Sequence, residues 1–374
     1  MSLTIIHTAD WQIGKPFGAF PTEAAAVLRD ARLGAIDRIA EAASARGARH
    51  VLVAGDVYDS DQPSLEQLRQ PMARLAGYRL IIWHLLPGNH DPTRPGGVWE
   101  RLRRDGLPPN VLVHDRSATA MIEPDVALLP APLASRAVTL DPTRWMTDAP
   151  TPSGALRIGL AHGSIRGFGG DGEAAVPIAP DRAELSGLAY LALGDWHGVQ
   201  PISPRAWYSG TPEPDGYRDN SAGHVLAVTF DAPGAPPRVE KIATATYRWL
   251  ALELSADAVD RALERQIADA GVPLDRVLVR LVMTGNVTLS EAARLRDRLD
   301  RLGARLRHLD LDLARLVPRA EAADMSRLTG VLAGVAERLQ TIADDAGDPR
   351  AVDARGALTR LFDVAGAGEG GGGS

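Results

Sequence analysis

The chain has no cysteine in its 374 residues, which excludes disulfides, thiolate metal sites, thiol nucleophiles and iron–sulfur chemistry. Lysine is nearly absent: Lys15 and Lys241 stand against 39 arginines. With the abundance of Ala and Leu, that skew reads as coding bias rather than a binding surface. No apolar run approaches the roughly 18 residues of a membrane span, so no membrane association is expected. The opening Met1-Ser2-Leu3-Thr4-Ile5-Ile6 has no basic stretch and no long apolar core, so no secretory leader is expected and the cytoplasm is the expected location. An excess of positive charge is lacking too. The balance is 41 − 47 = −6, which argues against gripping nucleic acid by bulk charge. Residues 246–374 carry 18 Arg and 20 Asp+Glu, net −2, leaving −4 for residues 1–245. A contact with DNA would have to come from a local arginine cluster or a partner.

What the chain does have is 45% apolar and 24% charged residues, the composition of an ordinary globular protein of two or three domains. Apolar runs at 3–7, 50–54 and 80–86 read as buried strands. They alternate with helical spacing at 22–46 and 64–76. That order implies parallel strands joined by right-handed crossovers. Further strands are expected at 111–114, 126–129, 156–161, 189–193 and 224–230, in a mixed sheet or a two-sheet sandwich. Composition shifts near 246. Strands at 247–254, 276–284 and 305–313 alternate with helices at 256–270 and 288–302, a small α+β unit. Helices follow at 321–344 and 350–365, and a Gly-rich tail over 366–374 is expected to be disordered.

The chemistry lies at the strand ends. The apolar runs of the first part close in Asp10-Trp11-Gln12, Gly55-Asp56-Val57-Tyr58-Asp59, Gly88-Asn89-His90-Asp91, His162-Gly163 and Gly194-Asp195-Trp196-His197. In open α/β sheets, ligands bind beyond the carboxyl ends of the strands. Five such clusters converging there would make one site of carboxylates, imidazoles and amide oxygens. Oxygen and nitrogen donors without sulfur suit Mn²⁺, Mg²⁺, Fe²⁺ or Zn²⁺. So many donors suggest two ions bridged by one carboxylate, the arrangement of phosphoryl chemistry. Taken singly each cluster is ambiguous: Gly-Asn-His-Asp could be a turn, and His162 a satisfied core histidine.

The series Gly-Asp-x-x-Asp, Gly-Asn-His-Asp, His-Gly and Gly-x-x-His resembles the calcineurin-like metallophosphoesterase superfamily. The opening His7 to Lys15 and the block Tyr208 to Glu213 are similar to its SbcD-type branch of DNA repair nucleases. The resemblance implies an α/β fold: a mixed β-sandwich flanked by helices over 1–245, a smaller α+β capping domain over 246–320 and a C-terminal helical segment over 321–365. It implies a metal-dependent phosphodiesterase acting on DNA as an exonuclease, with endonuclease activity also open. A small-substrate phosphoesterase or a non-catalytic DNA-end scaffold are the alternatives. Two divalent ions are implied, Mn²⁺ first. Asp10 and His197 would bind one, Asn89 and His162 the other, with Asp56 bridging. His90 would protonate the leaving oxygen, its ring oriented by Asp59 or Asp91. Partners implied are DNA, an SMC-type coiled-coil ATPase of the SbcC kind, and a second copy of the chain.

Two positions depart from the family's pattern. Gln12 stands where a His is usual, and Asp195 where the last motif has its first His. Gln12 could donate an amide oxygen and Asp195 a carboxylate, retuning the site towards a harder ion. The other reading is one loosely held metal. Arg166, in the Gly-rich stretch 163–172, is a candidate substrate contact.

Overall fold

The computed structural model describes residues 3–167, 175–232, 234–319, 328, 330–345 and 347–369. The chain divides into two compact units, Met1–Tyr247 and Arg248–Ser374.

In chain order the first unit runs β1 (Leu3–Thr8), α1 (Thr22–Ala45), β2 (His50–Val53), α2 (Leu65–Gly77), β3 (Ile82–Leu85), α3 (Val98–Asp105), β4 (Val111–Val113), β5 (Ala120–Glu123) and β6 (Val126–Ala131). It continues through β7 (Leu156–His162), β8 (Ser164–Ile165), β9 (Pro177–Ile178), α4 (Arg182–Leu185), β10 (Tyr190–Gly194), β11 (Gln200–Ser203), β12 (Ala206–Tyr208), β13 (His224–Phe230) and β14 (Arg238–Ala243). Two six-stranded sheets result, β14-β13-β1-β2-β3-β4 and β11-β12-β10-β7-β6-β5. Within the first, β1, β2, β3 and β4 are parallel and β13 and β14 antiparallel. Within the second, β6, β7, β10 and β12 are parallel, and the edge strands β5 and β11 antiparallel.

Alternation along each strand builds three layers of core. Ile5, Leu52, Leu128, Ile158, Leu160 and Ala192 face one another between the sheets. Ile6, Val51, Val53 and Trp83 face the helices, meeting Ile36, Ile39, Leu75 and Trp99. Leu129, Ala161, Leu191 and Leu193 pack outwards against Met146 and Ala183. Strands buried on both faces read as unbroken apolar runs, which is why the sequence locates them. The sheets thus form the expected α/β mixed sandwich flanked by helices. Leu80, 87% exposed, precedes the strand rather than joining it. The short strands β5, β11 and β12 and the edge strand β14, with its mostly exposed alternating pattern, carried too weak an apolar signal to be expected.

A file of histidines crosses the first sheet. His50 Nε2–H donates to Glu123 (3.0 Å). That leaves His50 Nδ1 to accept from His84 Nε2–H (3.0 Å), and His84 Nδ1 to accept from His114 Nε2–H (2.9 Å). The carboxylate at one end therefore fixes every tautomer in the file.

The second unit holds β15 (Arg248–Ser255), α5 (Val259–Asp269), β16 (Val277–Thr288), α6 (Leu289–Gly303) and β17 (His308–Arg319), a three-stranded parallel sheet. Thr288 and Glu291 start α6 with a reciprocal capping box. Two helices follow, α7 (Val331–Asp344) and α8 (Ala351–Glu369). Leu358 and Phe362 of α8 bury against Ala336 and Leu289, so α8 docks within its own unit. The start of the helix expected over 321–344 lies outside the described residues, as does the Gly-rich tail from 370 on. Among the described residues, no helix is long and apolar enough to cross a membrane.

Candidate active site

Because β1, β2 and β3 are parallel neighbours, their carboxyl ends lie side by side. Beyond them the chain continues as two loops pinned together by main-chain hydrogen bonds. Asp10 N–H donates to Gly55 (3.1 Å), Gln12 N–H to Asp56 (2.9 Å) and Ile13 N–H to Val57 (2.9 Å). Asp10, Gln12 and Asp56 all turn at left-handed φ (+54°, +43° and +54°), as does Asp195 at +104°. Strained backbone of this kind persists where surrounding structure enforces it. Here the enforcement includes Arg32, a buried guanidinium on α1. It donates to the carbonyls of Asp10 (2.9 Å), Trp11 (2.8 Å) and Glu213 (2.9 Å). Trp11 itself is packed against Trp83, with its Nε1–H on Thr8, and forms a wall behind the site.

The second sheet supplies His162 at the end of β7 and Asp195 after β10. His162 Nδ1–H donates to the carbonyl of Ala54 (2.8 Å), so the neutral ring presents a bare Nε2. That nitrogen lies 3.0 Å from Asn89 Oδ1, 3.5 Å from Asp56 Oδ2 and 3.8 Å from Asp195 Oδ1. The main-chain N–H of Asp195 donates to the Asp10 carboxylate at 3.2 Å. Donor atoms of Asp10, Asp56 and His162 all lie within 4.8 Å of one another. The structure thus gathers Asp10, Asp56, Asn89, His162 and Asp195 from five separate strand ends. Two glycines allow the approach. A Cβ on Gly55 would sit 2.3 Å from His162 Nδ1, and one on Gly194 would sit 2.0 Å from the Ala54 carbonyl oxygen.

The electrostatics are those of a cation site. Asp10 and Asp56 are almost wholly buried, and among the described residues no Lys or Arg is hydrogen-bonded to either carboxylate. Burial, assisted by Asp56 and Asp195, pushes Asp10 up to about 6 against the pull of His197 and His162. Burial alone would lower His162, but the charges of Asp56, Asp10 and Asp195 outweigh it and raise the ring to about 9. A bare imidazole nitrogen facing an amide oxygen and three carboxylates is a donor set that fits a divalent cation of hard or borderline character.

The remaining expected residues sit around this cluster. His90 holds its N–H on Asp56 Oδ1 (2.9 Å) and donates Nδ1–H to the main-chain carbonyl of Asp59 (2.9 Å). The ring is therefore oriented by the backbone of Asp59 and not by a carboxylate. Asp91 is buried and accepts from the N–H groups of Tyr58 (3.0 Å) and Gly88 (2.7 Å), tying the two loops rather than touching His90. Burial, with Asp56 nearby, holds its carboxyl well above the usual range. His197 Nδ1–H donates to Asp215 (3.1 Å), and Gln12 Nε2 meets His197 Nε2 at 3.3 Å. Arg166 is exposed beyond β8 and holds Ile178 only through its main-chain N–H; the expected stretch 163–172 lies outside the described residues from 168 on.

Sequence reasoning missed Asp215 and Arg32. Asp215 lies in a Pro- and Gly-rich segment with no strand to mark it. Arg32 had a signal: it stands four residues after Leu28 and four before Ile36, on the buried stripe of α1. The block Tyr208–Glu213 proves to be bracing. Tyr208 O–H donates to Gly163 (2.7 Å), and Glu213 accepts from the N–H groups of Thr246 and Tyr247.

Residues 3–165 match the calcineurin-like phosphoesterase family. A curated relative, one of the two components of the nuclease SbcCD of Rhodobacter capsulatus (the SbcD chain), is 31% identical over 287 residues, covering 63% of this chain and 68% of its own. The chain belongs to the calcineurin-like phosphoesterases. The uncharacterized metallophosphoesterase YhaO of Bacillus subtilis is 28% identical over 231 residues, 56% of this chain and 53% of that one. A solved structure, TT1561 of Thermus thermophilus, is similar with a TM-score of 0.41 at 12% identity, covering 65% of this chain and 100% of that one. Family membership makes this chain a metal-dependent phosphoesterase, and the buried Asp10, Asp56 and His162 are its candidate metal ligands.

Proposed function

We propose that the chain is a phosphodiesterase acting on DNA, with exonuclease activity, and that it works with a coiled-coil ATPase partner and as a homodimer. The observation that carries the chemistry is the convergence of Asp10, Asp56, Asn89 and His162, with His90 held beside them by a separate anchor. The choice of DNA and of such a partner is supported by the relative named as part of the SbcCD nuclease.

A bound divalent cation, Mn²⁺ in our reading, supplies charge neutralisation at the phosphoryl oxygens and a nucleophile near neutral pH. The chain's own residues do the rest. Asp10, Asp56, Asn89 and His162 bind that cation. Asp59, through its carbonyl, keeps the His90 ring in one orientation with Nδ1–H engaged. His90 Nε2 carries the proton passed to the leaving oxygen. Asp91 holds the loops of Tyr58 and Gly88 in register, so that His90 and Asp56 keep their mutual position.

The test is a side-by-side assay of duplex DNA, single-stranded DNA, a cyclic nucleotide and a chromogenic diester, with Mn²⁺ and with EDTA. Shortening of DNA with Mn²⁺ and none with EDTA is expected. Turnover of the cyclic nucleotide with DNA left intact would replace the DNA reading with a small-substrate phosphodiesterase.

A further inference from the structure

We infer that Gln12 and Lys15 occupy the place of one of two cations, so that this chain holds a single divalent ion among Asp10, Asp56, Asn89 and His162. The inference rests on the reading of the site as a metal centre, and it concerns the number of ions and not the substrate.

The argument begins with the Gln12 amide. Lys15 Nζ donates to one of its atoms at 3.0 Å. An ammonium has only donors, so the accepting atom is the carbonyl oxygen Oε1. The amide orientation follows: Nε2–H points the other way, to His197 Nε2 at 3.3 Å. His197 has its Nδ1–H on the Asp215 carboxylate. Its Nε2 is therefore the lone pair that accepts from Gln12. Both donors expected on that side of the site are spent. The only Gln12 atom that could ligate a cation is on an ammonium, and the His197 lone pair is on an amide.

Charge points the same way. Lys15 also pairs with Asp215 at 2.5 Å, so a fixed positive charge sits beside His197. A cation bound to Gln12 Oε1 at about 2.1 Å would come within about 5 Å of that ammonium. Two positive groups sharing one oxygen in a partly buried site repel strongly. A histidine at position 12 would offer no such seat for Lys15. On the other side nothing competes. Asp10, Asp56 and His162 stand within 4.8 Å of one another, with Asn89 Oδ1 3.0 Å from His162 Nε2. Lysine is scarce in this chain, with only Lys241 besides Lys15, and this one is placed where a cation's charge is required.

The deciding experiment is equilibrium dialysis of the purified chain against Mn²⁺, with bound metal counted per chain and its EPR spectrum recorded. One equivalent with the spectrum of an isolated ion is expected. The double variant Gln12→His, Lys15→Met is expected to take up a second equivalent and show exchange coupling. Two equivalents, or a coupled spectrum, in the native chain overturn the inference, whatever the variant does. No bound metal at all would overturn it together with the metal-centre reading. One equivalent without hydrolysis of any diester would leave it standing and remove the proposed activity instead.

Discussion

His162 donates its Nδ1–H to the main-chain carbonyl of Ala54 at 2.8 Å. This bond ties a side chain of the second sheet to the end of a strand in the first, and it fixes which ring nitrogen faces Asp56 and Asn89. The bond needs a glycine next door, since a Cβ on Gly55, at φ +91°, would lie 2.3 Å from Nδ1. Gly55→Ala removes no ligand yet displaces the ring. We expect Mn²⁺ affinity to fall by about 10–100-fold, the size of effect seen when an orienting partner is lost. Titration calorimetry checks this, and unchanged affinity would show that the ring has freedom we deny it.

His90 stands apart from the ligand cluster, anchored on Asp59. His90→Asn should lower kcat for a diester by about 10²–10⁴-fold, the usual contribution of a positioned proton donor. Bound metal should stay at the native level. Metal loss in parallel with activity would make His90 a ligand.

Asp91 is a structural test. Its carboxylate satisfies two buried N–H groups, of Tyr58 and Gly88. Asp91→Ala leaves both unpaired, at about 1–3 kcal/mol each. Urea unfolding of the metal-free chain should show a loss of about 2–5 kcal/mol, and a loss below about 0.5 kcal/mol would refute the bracing role.

Acid should unfold the first unit through its buried histidines. Burial lowers His7 to about 3 and His114 to about 4, and it holds His84 well below the ordinary value of 6.5. Below pH 6.5 the unfolded chain binds protons that these rings refuse. Stability is therefore full above pH 6.5 and declines as pH falls towards 4. At pH 5.5 each such ring costs about 1 kcal/mol. Urea midpoints measured from about pH 7.5 to about pH 4.5 should drop across that window, and a flat profile would contradict the neutral, buried assignment.

The strand ends made much of the site legible. Asp10, Asp56, Asn89, His162 and Asp195 each follow an apolar run, and parallel pairing brings those ends together without further information. The contacts that decide their roles were not legible. Lys15 and Asp215 meet across 200 residues of sequence, and no periodicity connects them. Gln12 reads as a weak ligand by composition alone, and only the position of Lys15 shows which way its amide points. The orienting group for His90 is a carbonyl, which every residue has, so the sequence suggested the nearby carboxylates of Asp59 and Asp91 instead. His50, His84 and His114 lie in or beside apolar strands, where spacing alone cannot show that they touch.

Hydrolysis of a chromogenic phosphodiester by chain stripped with EDTA and then titrated with Mn²⁺ tests the central claim most directly. Native protein should be silent when stripped and regain activity saturably as metal is added, whereas Asp56→Asn should stay silent throughout. Turnover by the stripped protein at the restored rate, or full activity in Asp56→Asn, would contradict the account.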